Sequence, residues 1–205
     1  MQLRALHRAS ALVLTVYALL HIANHLASLG GVPLHMVVMS TLRRVYRQPV
    51  VEALLLACVT LQATSGVWLT VRGWSERVGR VAWLQAASGL YLAFFLVVHV
   101  SAVLFGRAVF GLDTNFYFAA AGFHVAPFQW FFAPYYFLAV VSLFAHLGCA
   151  LYWQLESSKP LGARAALSVM LGVGALFALL ITLSMAGAFA PFDVPSEYKK
   201  TFGGT

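Results

Sequence analysis

Five long apolar stretches, each bounded by glycine, proline or basic residues, fix the solvent in which this chain folds. They run over residues 5–29, 50–71, 81–104, 131–153 and 165–188. A helix rising about 1.5 Å per residue crosses the hydrocarbon of a bilayer in about 20 apolar residues. Backbone amides in lipid must bond within their own segment or a closed barrel, and none of the five runs shows the alternation of a barrel strand. The composition agrees: 61% of the chain is hydrophobic and 9% charged, where soluble domains carry about a quarter charged residues. The expected fold is all-α, an integral membrane bundle of five transmembrane helices forming a single domain over residues 1–205, with a loose polar tail over 192–205.

The N-terminus imitates a signal peptide, with Arg4 and Arg8 ahead of an apolar run. That run carries His21, Asn24 and His25 near its far end and no clear small-residue cleavage site follows, so it reads as a retained helix. The connector 32–48 ends in Arg43, Arg44 and Arg47 and predicts a short interfacial helix over 35–45. The connector 107–130 is rich in Phe and Tyr and reads as an aromatic belt. The net charge is +7, but the Lys and Arg residues sit in connectors, where they act as topology signals and touch lipid headgroups. No basic stripe interleaved with aromatics exists, so membrane lipid is the expected partner and nucleic acid is not. With the N-terminus inside, Arg4, Arg8, Arg72, Arg77, Arg80, Lys159 and Arg164 are cytoplasmic. Arg43, Arg44, Arg47, Arg107, Lys199 and Lys200 then lie outside. A margin of one charge leaves the side open. Cys58 and Cys149 lie within apolar runs and form no CxxC or zinc spacing; they read as small buried hydrophobes.

Four histidines fall inside predicted spans: His21, His25, His99 and His146. Ionisable groups in a bilayer face the bundle interior and find a partner there. That partner is either a polar group on a neighbouring helix or a metal, since two neutral imidazoles on facing helices can clamp a haem iron. Helices one and three run in the same direction, and His21 and His99 sit at similar distances from their starts. They therefore share a height, as two axial ligands of one iron must. His146, on an oppositely directed helix, lies roughly 15 Å nearer the other surface. His25 is one turn beyond His21 and could replace it or bond a haem propionate. His7, His35 and His124 fall at or beyond the membrane edges and read as interfacial. Gln62 is expected to bond a neighbouring helix or a ligand. Arg47 and Glu52 are candidates for a quinone slot between helices one and two, or for an interfacial ion pair. No nucleophile–base pair, phosphate loop or dinucleotide fingerprint occurs.

A faint repeat runs through the chain. Ser10 to His21 and Ser88 to His99 span the same distance, and Leu61-Gln62-Ala63-Thr64-Ser65-Gly66 parallels Leu84-Gln85-Ala86-Ala87-Ser88-Gly89. The run from Trp83 through Gln85 and Ser88-Gly89 to His99 resembles the third helix of the membrane cytochrome b subunit of succinate dehydrogenases and fumarate reductases, in its five-helix single-chain form. Pro134-Tyr135-Tyr136 leading to His146 and Gly148 resembles the fourth helix of that family, and Ser10 to His21 the first. The resemblance implies haem b held by His21 and His99, a quinone as redox substrate, and separate flavoprotein and iron–sulfur subunits anchored by a chain that is not itself an enzyme. It also implies a multi-pass position in the cytoplasmic (inner) membrane with the N-terminus cytoplasmic. Two-haem members carry a fourth ligand on helix two, where this chain has no histidine between Leu61 and Leu69. The resemblance therefore implies one six-coordinate haem, with the His146 site lost, five-coordinate or ligated differently. The alternative reading is a cofactor-free membrane anchor or assembly scaffold.

Overall fold

The computed structural model describes residues 2–203, and among them no strand occurs. Five long helices carry the apolar runs: α1 (Gln2–Ala27), α3 (Pro49–Arg72), α4 (Arg80–Ala108), α6 (Gln129–Leu155) and α7 (Pro160–Met185). Each is long and apolar enough to cross a membrane, so the chain is an all-α, multi-pass bundle. Between and after them lie α2 (Val32–Tyr46), the short α5 (Phe116–Ala120) and the short α8 (Ser196–Lys199).

The helices outrun the apolar segments at most ends. Hydropathy marks the part immersed in lipid, whereas the helix continues through Arg80, Arg107 and Arg164, whose stems reach to the interface. α7 starts at Pro160, because proline fits the first helical turn. It stops at Met185, short of the expected 188, where Gly187 takes φ +79 and only glycine does so without strain.

In space the spanning helices follow the order α1, α3, α4, α6, α7, each packed mainly on its sequence neighbour among the spans. The tightest pair is α6–α7. A methyl group on Gly148 would lie 2.9 Å from Met170 Cβ, and one on Gly174 2.5 Å from Phe144 Cβ. These two glycines let the backbones approach as closely as they do. The bundle covers little of itself: between 11% and 33% of each apolar window is buried within the chain.

At the end remote from the N-terminus, here called the distal end, a cap closes the bundle. α2 folds back with Val32, His35 and Met39 buried, and α5 inserts Phe116 and Ala120. The expected loose tail is instead packed, as far as its described residues go. Val194 and Tyr198 are buried, Phe192 meets Phe116 at 5.0 Å, and Asn115 Nδ2 donates to the Tyr198 hydroxyl at 2.9 Å. The polar residues of the tail hid an apolar set (Phe192, Val194, Tyr198, Phe202) that covers the aromatic connector. The N-terminal and C-terminal ends of the described chain thus lie at opposite ends of the bundle, as an odd number of crossings requires.

Candidate functional site

The distal half of the bundle gathers four imidazoles. α1 carries His21 and, one turn later, His25; α4 carries His99; α2 carries His35. The ring centres of His21 and His99 are 6.2 Å apart, those of His21 and His25 4.7 Å, and those of His25 and His35 5.3 Å. Aromatic rings hold the row in place. Tyr17 stacks on His21 at 5.7 Å, Phe95 on His99 at 5.0 Å, and Phe116 meets His35 edge-on at 5.0 Å. Counting depth along the helices thus brought His21 and His99 to one level, and the structure sets them side by side across the bundle.

These rings are poorly satisfied by the protein. His25 Nδ1 and His35 Nδ1 are buried without a partner, as is Asn24 Oδ1. The Asn24 amide donates to His35 Nε2 at 3.1 Å. Buried polar groups without partners are uncommon and ask for an explanation. A cavity of about 50 Å³ opens among His21, His25, His35, His99, Tyr46 and Tyr136, room enough for a water or two. Burial holds the imidazole of His35, which lies outside the spanning helices, down to about 4, with His21 and Arg43 adding to the effect.

His35 was expected at the interface and is 2% exposed. Its burial comes from α2 lying back over the bundle. The sequence signal was the spacing Val32, His35, Met39, one face of a helix.

The interfacial charges pair differently from the sequence expectation. Glu52 forms its ion pair with Arg107 of α4, not with Arg47. Arg43 binds Asp113 at 2.7 Å and the Thr114 carbonyl at 2.8 Å, while Arg47 donates to Thr114 Oγ1 at 2.8 Å. Asp113 outcompetes Glu52 for Arg43 because the connector before α5 drapes over the end of α2. The net result is a charged rim pinning that connector beside the histidine cavity, of which Thr114 and Asn115 are part of the wall.

His146 lies at the other level, as expected. Its Nδ1 is 3.1 Å from the Gln85 carbonyl and 3.4 Å from Ser88 Oγ. His7, read from sequence as interfacial, also faces inward, 2.7 Å from Ser65 Oγ. Gln62 bonds a neighbouring helix, donating to the His7 carbonyl and, at 2.8 Å, to Ser10 Oγ. His124 Nε2 donates to the Met185 carbonyl at the end of α7 at 2.9 Å.

Among the described residues no three His, Cys, Asp or Glu side chains converge to hold a bare metal ion. Two opposed imidazoles suit a metal whose other positions are already filled by a macrocycle. Two imidazoles that shared one metal ion through bonds of about 2.0–2.1 Å would have ring centres about 6.2–6.4 Å apart. The His21–His99 ring centres, 6.2 Å apart, match that spacing, while the cavity beside them, about 50 Å³, is far smaller than a macrocycle. α1 and α4 both pack chiefly on neighbours other than each other, and α3 packs against both. No family model, no curated protein and no solved structure matches this chain.

Proposed function

We propose that this chain is a haem b-binding membrane subunit that exchanges electrons with a quinone and anchors separate redox subunits. The observation that carries the reading is the opposition of His21 and His99 at one height on α1 and α4, with ring centres 6.2 Å apart. The resemblance of the motifs around Ser88-Gly89, His99 and His146 to membrane cytochrome b subunits supports it. So do the unpartnered nitrogens of His25 and His35, which suit polar groups at the edge of a macrocycle.

Haem bound between His21 and His99 would supply a one-electron carrier inside the membrane. The chain's own residues do the rest. Tyr17 and Phe95 stack on the two imidazoles, and α2 and α5 cover the distal side. Quinone exchange belongs at the charged rim, where Glu52, Arg107 and Arg47 border Tyr46 and the cavity. Glu52 is the group there that can hold or release a proton as a quinone is reduced or oxidised. The small size of the histidine cavity and the thin self-burial of the helices favour a second reading, an anchor without cofactor that is covered by partner subunits.

The experiment is an optical spectrum of the detergent-purified protein, reduced minus oxidised. A low-spin b-type signal is expected, and His21→Ala and His99→Ala should each remove the component that they ligate. A colourless protein, or a His99→Ala variant with the full unaltered spectrum, sinks the reading in favour of the anchor.

A further inference from the structure

We propose that the hairpin of α3 and α4 carries a binding site for an anionic phospholipid, whose headgroup meets the guanidinium groups of Arg72 and Arg77 among Trp68, Trp74 and Trp83. The site is independent of the haem reading. It lies at the end of the bundle that carries the N-terminus, where residues 73–79 join the two helices.

Both guanidinium groups are held in place by rings. Arg72 Cζ stands 4.9 Å from the centre of Trp68, one turn earlier on α3. Arg77 Cζ stands 5.5 Å from Trp74 and 5.4 Å from Trp83, two rings that meet edge to face at 5.0 Å. Arg77 Nη2 also donates to the Thr70 carbonyl, in the last turn of α3, at 3.3 Å. Stacking orients a guanidinium without using its N–H groups, which stay in the ring-parallel plane as a fork for a phosphate.

The chain gives these cations no counter-ion. Every salt bridge among the described residues lies at the distal end, where Asp113 serves Arg43 and Arg47 and Glu52 serves Arg107. The acids at the opposite end are Glu76 and Glu156. Neither bridges an arginine among the described residues, and Glu156 accepts from the Tyr152 hydroxyl. Arg77 Nη1 is covered and lacks an acceptor. The first turn of α4, which starts at Arg80, holds no acidic residue and no side-chain cap. Unmet charged donors are costly, so this corner of the bundle has the strongest call for an anion.

The surface leading to the arginines marks that anion as a lipid. Val67, Trp68 and Val71 are exposed on the part of α3 that ends in Arg72, and Trp83 is exposed on α4. An apolar track on a spanning helix, topped by a fixed cation, matches a ligand with acyl chains below and a phosphate above. A choline headgroup is disfavoured, because the rings that could cage a quaternary ammonium already face guanidinium groups that repel it.

The test is native mass spectrometry and thermal unfolding of the detergent-purified protein titrated with dioleoyl-phosphatidylglycerol, compared with dioleoyl-phosphatidylcholine and inorganic phosphate. Phosphatidylglycerol should stay bound and raise the unfolding temperature, and the other two should not. Arg72→Gln leaves the Arg77–Thr70 bond of the turn intact and should weaken phosphatidylglycerol binding by roughly tenfold or more, the loss of hydrogen bonds to a charged group. Arg164→Gln, at the same end on α7, should cost no more than about fivefold, the share of one surface charge. Equal binding of the two lipids overturns the proposal, as do equal losses in Arg72→Gln and Arg164→Gln, which make the effect one of diffuse charge. Stabilisation by inorganic phosphate as large as that by phosphatidylglycerol overturns it in favour of a soluble ligand. Stabilisation by a polyglutamate peptide but not by phosphatidylglycerol overturns it in favour of an acidic protein surface.

Discussion

The two Ser-Gly steps of the repeat, Ser65-Gly66 under His7 and Ser88-Gly89 under His146, look alike in sequence and differ in tightness, which makes them separable by single substitutions. Gly89 lies under a ring that is held by a backbone carbonyl and cannot retreat freely, and an added methyl would stand 2.9 Å from it. Gly89→Ala should therefore lower stability by about 1–3 kcal/mol through overpacking. Gly66→Ala meets His7 at 3.5 Å, an ordinary contact, and should be neutral or gain up to about 1 kcal/mol from helix propensity. Thermal unfolding in one detergent measures both; equal losses would show that the two seats are equally tight. At this scale the sequence was informative where depth alone decides. Residue counting placed His21 beside His99 because helical rise is fixed. His7 stayed hidden because its inward turn depends on a hydroxyl and a glycine on another helix, far away in the chain. The duplicated motif was the one visible sign of that partner.

At the scale of elements, α2 is held by a histidine that must stay neutral to remain buried. His35 has its pKa lowered to about 4 by burial, against an ordinary value of 6.5. The undocked form therefore binds the proton more readily than the docked form. Docking of α2 is fully favoured above about pH 6.5 and weakens as the pH falls toward 4, by up to tenfold in the docking equilibrium per pH unit. Hydrogen exchange of the amides of α2 between pH 7 and 4, corrected for intrinsic rates, should show this opening. His35→Gln, which does not titrate, should flatten the profile, and an identical slope in that variant would sink the assignment. The five spans were legible because lipid imposes length and apolarity on every crossing. The docking of α2, the Glu52–Arg107 pair and the packed tail were not, because they depend on which connectors meet at the same end of the bundle. Charge signs say that Glu52 wants an arginine but not which of four nearby ones reaches it. The tail was misjudged because its polar residues outnumber the four apolar ones that set its position.

For the whole molecule, the order of elements fixes which connectors share a face. The α3–α4 and α6–α7 connectors lie with the N-terminus, while α2, α5 and α8 lie together at the distal end, tied by Arg43–Asp113 and Asn115–Tyr198. The charges that orient membrane proteins are almost balanced between these ends, so the direction of insertion rests on the proposed kinship, but the grouping does not. Because Cys58 and Cys149 are buried, a membrane-impermeant maleimide should read introduced cysteines against a low background. Ser75→Cys and Ser157→Cys, in the two connectors near the N-terminus, should react from one side of intact cells or spheroplasts. Ser40→Cys on α2 and Thr201→Cys beyond α8 should react only from the other side. Reaction of Ser75→Cys and Thr201→Cys from the same side would require an even number of crossings and would break the bundle described here. Reaction of Ser75→Cys only after permeabilisation, with Thr201→Cys open to the outside, would place the N-terminus in the cytoplasm. The His21–His99 level and the rim of Glu52, Arg107 and Arg43 would then lie toward the outer surface, and His146 toward the cytoplasm, so one labelling pattern fixes the side on which each histidine level stands.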